Sequence, residues 1–218
     1  MRNFDCWYEP VCENECSNTC VRFLEMSHLM ESSGIPKNRQ KPEILTAPQC
    51  DYNAFCKLAD IKSNIVDFVN AGKSLYITSA TTGNGKTTWA IKLLCKYFDE
   101  IWAGNGFNTR GLFINVPSFL LKCKDFNSKD KAFEECKRLI PNVDIVVWDD
   151  LGGASVSGYD VSQLLMYIDA RVSNNKTNIY TSNLADADKF SSIVGVKIAS
   201  RVFTRNTEII EFKGADRR

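Results

Sequence analysis

What this chain of 218 residues lacks narrows its class first. No stretch reaches the roughly 20 apolar residues that a bilayer crossing needs. The N-terminus, Met-Arg-Asn-Phe-Asp-Cys, has no apolar core of the kind that directs secretion. There is a single histidine, His28, and neither an internal repeat nor a low-complexity tract. Net charge is also scarce: 27 Lys and Arg stand against 26 Asp and Glu, so no global basic field announces nucleic acid. These absences argue against a membrane protein and a repeat array, and the expected compartment is the cytoplasm. There the nine cysteines would be kept reduced, which argues against a disulfide framework.

What is present suits a globular protein with a real core, since 44% of residues are hydrophobic and 24% charged. Charge is uneven along the chain. Residues 1–36 hold six acids against Arg2 and Arg22, whereas the rest holds 25 basic and 20 acidic side chains. We expect a Cys-rich, partner-contacting module over 1–36, a linker over 37–54 marked by the turn formers from Gly34 to Pro42, and a main domain over 55–218. Within that domain, Phe55, Leu58, Ile61, Ile65, Phe68 and Val69 recur at helical spacing over 55–70. Strands are expected at 75–78, 112–116, 143–148, 178–181 and 208–212, with helices at 86–98, 118–124, 129–139 and 158–173. Strands separated by helices imply parallel βαβ units in a three-layer α/β domain.

The chemistry concentrates in residues 80–88, Ala-Thr-Thr-Gly-Asn-Gly-Lys-Thr-Thr, between a predicted strand and a predicted helix. The phosphate-binding loop pattern is Gly, four residues, then Gly-Lys-Ser/Thr. Ala80 takes the first Gly position, and Gly85, Lys86 and Thr87 match the rest. Gly83 and Gly85 allow positive φ, turning backbone N–H groups of Thr82, Asn84 and Thr88 and their neighbours onto phosphate oxygens. Lys86 neutralises the β and γ phosphates of ATP or ADP, Thr87 offers a hydroxyl to Mg²⁺, and the helix N-terminus adds its dipole. A second motif, Ile145-Val146-Val147-Trp148-Asp149-Asp150, is an apolar strand ending in two carboxylates. Ligands of parallel sheets sit beyond the carboxyl ends of the strands, where this pair would emerge beside the loop. Asp149 would hold Mg²⁺, directly or through water, and Asp150 would position or activate the attacking water. Many such ATPases carry Glu at that place. The shorter Asp predicts slow hydrolysis.

The order of these motifs, followed by Ile179-Tyr180-Thr181-Ser182-Asn183-Leu184, resembles the AAA+ ATPases. More narrowly, Ser33-Gly34-Ile35-Pro36, Thr181–Leu184, Ser200-Arg201 and an ending without a sizeable lid resemble the DnaC/DnaI-type replicative helicase loaders of bacteria and phages, over residues 33–218. That resemblance implies a P-loop AAA+ core with minimal or no lid. It also implies ATP-controlled loading of a hexameric helicase onto single-stranded DNA, and self-association. Asn183 would be a sensor amide that bonds the γ-phosphate or attacking water. Arg201 would be an arginine finger reaching a neighbouring subunit's nucleotide, and Arg217 or Arg218, with Arg218 favoured by spacing, a second sensor. The sequence departs from the pattern at Ala80 and Asp150. Transposase-helper ATPases share most of these features. A small-molecule P-loop kinase is a further alternative, disfavoured because no segment suggests a lid arginine cluster.

Two weaker constellations remain. Lys122, Lys124, Lys129, Lys131, Lys137 and Arg138 interleave with Phe119, Phe126 and Phe133, the composition of a single-strand groove, although Phe119 and Phe133 fit the core better. Cys6, Cys12, Cys16 and Cys20 have the ligand count of a structural Zn²⁺ site, with His28 as a possible replacement. A straight helix would separate Cys12 from Cys20 by ~12 Å, so the chain would have to turn between them. The remaining cysteines, Cys50, Cys56, Cys95, Cys123 and Cys136, are expected as dispersed small core residues.

Overall fold

Alternation of side chains along the strands decides the layering. The computed structural model describes residues 6, 12, 19–41, 46–125, 130–153 and 156–216. In it β1 (Ser74–Thr78), β2 (Gly111–Asn115), β3 (Ile145–Asp149), β4 (Thr177–Ser182) and β5 (Thr207–Glu211) form one parallel sheet in the order β2-β3-β4-β1-β5. Leu75, Ile77, Ile145, Val147 and Ile179 enter one hydrophobic cluster, whereas Tyr76, Val146, Trp148 and Tyr180 enter the other. Strands β1, β3 and β4 are buried throughout, as strands covered on both faces must be.

The first cluster is closed by α1 (Val21–Ser32), α2 (Tyr52–Ser63), α3 (Ile65–Asn70) and α4 (Lys86–Ile101). The second is closed by α5 (Val116–Lys124), α6 (Lys131–Leu139), α7 (Gly158–Ser173), α8 (Ala187–Val194) and α9 (Val196–Val202). The chain is thus a three-layer α/β protein with a parallel sheet, as expected. Fully burying each aliphatic or aromatic side chain of these clusters contributes about 1.5–3 kcal/mol. No described helix is long and apolar enough to cross a membrane.

Strand positions agree with expectation to within two residues. The helix expected over 55–70 is instead two, broken at Asn64, whose φ of −116° and ψ of 32° leave the helical region. The Asn64 side chain donates to the Asp60 carbonyl at 3.0 Å, offering the backbone an alternative to the continued helix.

Residues on both sides of position 36 share one core. Met26, Leu29, Met30 and Ile35 lie in the same cluster as Leu93, Leu94, Tyr97 and Phe98. The Ser33-Gly34-Ile35-Pro36 turn holds this arrangement: Ser33 Oγ donates to Met30 O at 2.7 Å, and Phe113 N–H donates to Ser33 O at 2.7 Å. Gly34 has φ of 77°, and a Cβ there would lie 3.2 Å from Phe113 O, so the turn needs glycine and leaves little room for a side chain. Asp51, buried in the stretch expected as linker, accepts from the N–H groups of Lys213 (2.6 Å) and Gly214 (3.1 Å), tying the C-terminal segment to the N-terminal one.

At the amino ends of β3 and β4 lies a fully buried cation, Arg171. It donates to the carbonyls of Ile140, Val143, Asp144 and Thr177 and to Asn178 Oδ1. Burial pushes its pKa down to about 9, and the network fixes the two strands whose far ends carry Asp149 and Thr181.

The cysteine expectations fare unevenly. Cys123 is buried and Cys95 and Cys136 are half-buried, but Cys50, in a single helical turn at Gln49–Asp51, and Cys56, on α2, are exposed and are not core residues. Of the candidate zinc ligands, Cys6 is buried against the first cluster, Cys12 packs at its margin and Cys20 is exposed, while Cys16 lies outside the described residues. His28 stacks edge-on against Phe107 at 5.4 Å. Among the described residues no three His, Cys, Asp or Glu side chains gather as a cation site, so the zinc reading gains no support.

Candidate functional site

β1 ends at Thr78, and the following residues wrap into a loop before α4 begins at Lys86. Gly83 (φ 69°) and Gly85 (φ 98°) take the left-handed conformations expected of a phosphate cradle. Ala80 does not. Asp150 and Asn175 are the described non-glycine residues with positive φ, so position 80 needs no glycine, which removes the physical objection to the first departure from the pattern. The loop is braced from within: Ser79 Oγ accepts from Thr81 N–H at 3.0 Å and from the buried Asn84 amide. Lys86, nine-tenths buried, donates Nζ to Thr81 O (2.8 Å) and Asn84 Oδ1 (3.2 Å), so its ammonium already lies across the mouth of the cradle. Thr82 and Thr88 lie on the two flanks, and Thr82 Oγ1 donates to Asp216 Oδ2 at 3.4 Å.

β3 delivers its carboxylates to the same place. Asp149 Oδ1 accepts from Thr87 Oγ1 and from Thr181 Oγ1, each at 2.7 Å. A hydroxyl and a carboxylate oxygen held together at a phosphate cradle are the hard donors that Mg²⁺ takes. These residues therefore fit that ion. Asp150 sits at φ 60°, a conformation Asp tolerates better than most. Its N–H donates to Thr181 Oγ1 at 2.9 Å, and its carbonyl accepts from Gly153 N–H at 3.1 Å. A Cβ on Gly153 would lie 2.4 Å from both Asp150 carboxylate oxygens, so that glycine lets the carboxylate fold against the turn. Burial, then the neighbouring Asp149 charge, raises the Asp150 pKa, with Lys86 opposing.

A cavity of about 640 Å³ unites these groups. It is lined by the loop from Thr82 to Thr88, by Asp149 and Asp150, and by Asn183 from the end of β4. The Asn183 side chain does not cap the next helix, because Asp186 caps α8 by accepting from Lys189 N–H at 2.7 Å. Its Oδ1 is buried without a hydrogen-bond partner among the described residues. Arg201 is elsewhere: on α9, half-exposed, it pairs with Asp169 of α7 and takes no part in lining the cavity. Arg217 and Arg218 lie outside the described residues.

Several lining residues were missed by sequence reasoning. Asn38, Arg39 and Lys41 reach the cavity from the stretch expected as linker, held there by Gln40, whose amide donates to Ile35 O at 3.2 Å. Three cations within five residues after Pro36 were the available signal. Asn115, beside Asp149 in register, and Thr181 also line it.

The basic and aromatic constellation on α5 and α6 is not a stacking platform. Phe119 and Phe133 are buried against each other at 5.4 Å. Lys122 pairs with Asp130, Lys124 with Asp160, Lys137 with Glu134 and Arg138 with Glu135. Lys131 is exposed, and Phe126 and Lys129 lie outside the described residues.

No protein-family model matches the chain, and no curated protein matches it by sequence. Solved structures do match it by fold. The DnaC helicase loader superposes with a TM-score of 0.67 at 18% identity, covering 82% of this chain and 100% of that one. DnaI superposes at 0.62 and 18% identity, covering 85% and 95%. The replication initiator DnaA, bound to AMPPCP and single-stranded DNA, superposes at 0.60 and 16% identity, covering 84% of this chain and 52% of that one. At such identities the likeness establishes a shared fold.

Proposed function

We propose that this chain binds and hydrolyses ATP and uses the cycle to load a ring-shaped replicative helicase onto single-stranded DNA. The observation that carries the reading is the convergence of Lys86, the Thr87–Asp149 pair, Asp150 and Asn183 on one cavity. The volume, about 640 Å³, is in the range of nucleotide-sized ligand sites.

In this reading Lys86 leaves Thr81 O and Asn84 Oδ1 for the β and γ phosphates, while the loop's backbone N–H groups surround them. Mg²⁺, held by Thr87 and Asp149, would supply charge neutralisation at the phosphates. Asp150 accepts a proton from the attacking water, a task suited to a carboxylate whose pKa is raised by burial. The unpaired Asn183 Oδ1 orients that water by accepting its other hydrogen. Arg201 cannot serve its own cavity from α9, and its exposed position suits delivery to a neighbouring protomer, where a guanidinium stabilises the charge that spreads over phosphate oxygens. The site is then completed by self-association, and the single methylene of Asp150 keeps hydrolysis slow.

The choice of helicase as partner is supported by likeness to DnaC, described as a helicase loader, and that of single-stranded DNA by likeness to a DnaA complex containing it. A loading assay tests the choice. Purified chain, hexameric replicative helicase and circular single-stranded DNA are mixed with ATP, and helicase retained on DNA is measured. Retention that requires the chain and ATP supports the proposal. No binding to helicase with either ATP or ADP sinks helicase loading, and capture of a transposase instead would favour the helper reading.

A further inference from the structure

Thr181 stands one strand away from the carboxylates and contacts both residues that carry them. It is 2% exposed, on β4, which lies between β3 and β1 in the sheet. Its hydroxyl donates to Asp149 Oδ1 at 2.7 Å and accepts from Asp150 N–H at 2.9 Å. One proton and two lone pairs satisfy that geometry. With Thr87 also on Oδ1, the Asp149 carboxylate is anchored through one oxygen, and Oδ2 has no hydrogen bond among the described residues. The second contact holds the first residue after the strand, Asp150, at φ 60°, a conformation that persists only where its surroundings enforce it.

We propose that Thr181 is a positioning residue for ATP hydrolysis: its hydroxyl fixes Asp149 with one oxygen turned to the cation and holds the backbone of Asp150 so that its carboxylate faces the water. This rests on the ATPase reading above. A methyl group in place of the hydroxyl leaves Asp149 Oδ1 with one donor instead of two and leaves the Asp150 N–H without an acceptor. The side-chain volume barely changes, so the effect isolates the hydroxyl. A serine keeps it.

The test compares wild type, Thr181→Val and Thr181→Ser by steady-state hydrolysis over a Mg²⁺ titration, by binding of ATP without Mg²⁺, and by thermal melting. Thr181→Val is expected to lower kcat by about 10–100-fold and to raise the Mg²⁺ concentration at half-maximal rate, as loss of a partner behind a metal ligand does. Metal-free ATP affinity should stay within about threefold, and Thr181→Ser should recover the rate to within about threefold of wild type. Wild-type kcat in Thr181→Val overturns the proposal, as does an equal loss in the Ser and Val variants, which would mark a packing role. If the wild type itself hydrolyses no ATP, the ATPase reading falls and this proposal falls with it.

Discussion

Removing the Arg201 guanidinium separates the shared-site reading from a self-contained one. Within its own protomer Arg201 contacts Asp169 across the surface, both side chains being more than two-fifths exposed. An exposed pair of this kind is worth about 0–1 kcal/mol, so Arg201→Ala should leave the melting temperature nearly unchanged. It does not line the cavity, so ATP affinity should also hold. If Arg201 completes a neighbour's site, however, kcat should fall by about 10³-fold or more, the usual contribution of an arginine finger. The decisive assay mixes two inactive variants. Asp150→Asn keeps its finger but lacks the base, and Arg201→Ala keeps its base but lacks the finger. In a head-to-tail assembly, equal mixing should restore roughly a quarter of the wild-type rate per protomer, since half the sites retain Asp150 and half of those meet an intact finger. Wild-type hydrolysis by Arg201→Ala alone, or a mixture no faster than its parts, would refute the reasoning.

Two further outcomes follow from the geometry. Asp51→Ala removes two charge-assisted acceptor contacts to the backbone of Lys213 and Gly214, and should cost about 3–5 kcal/mol in urea unfolding; a change no larger than that of Asp169→Ala would contradict the anchoring role. The Asp150 pKa is raised, so the base is lost on acidification at a higher pH than for an ordinary aspartate, and the acid limb of the pH–rate profile should lie there. The linkage has the opposite sign for stability: a carboxyl with a raised folded pKa penalises the fold as pH rises through that value. Asp150→Asn should therefore melt higher than wild type at neutral pH and not at pH 3, which thermal scans at both pH values will check.

The sheet was legible because its central strands are covered on both faces, and residues such as Ile145–Trp148 can then be uniformly apolar. The cradle was legible because glycine spacing and a lysine are local demands of phosphate geometry. What escaped depends on contacts distant in sequence. Nothing near Thr181 announces that its hydroxyl meets Asp149 and Asp150, 32 and 31 positions away. Arg39 and Lys41 read as a solvated linker until Gln40 and the Ser33 turn bring them to the cavity. Arg171 falls within the helix expected over 158–173 with nothing in the sequence to mark it as buried, yet five acceptors from two segments, 140–144 and 177–178, enclose it. The break at Asn64 was missed because apolar spacing continues across it, while the side-chain hydrogen bond that ends α2 leaves no trace in periodicity.

The central claim is that this cavity holds Mg²⁺-ATP through Lys86 and the groups around Asp149. Calorimetric titration of ATP with Mg²⁺ into wild type and Lys86→Ala tests it most directly. One nucleotide should bind per wild-type protomer, and Lys86→Ala should bind at least about 10-fold more weakly, since a buried charge-assisted contact of about 1.5–3 kcal/mol is lost. Equal affinity in the two proteins, or no binding to wild type, would contradict the account.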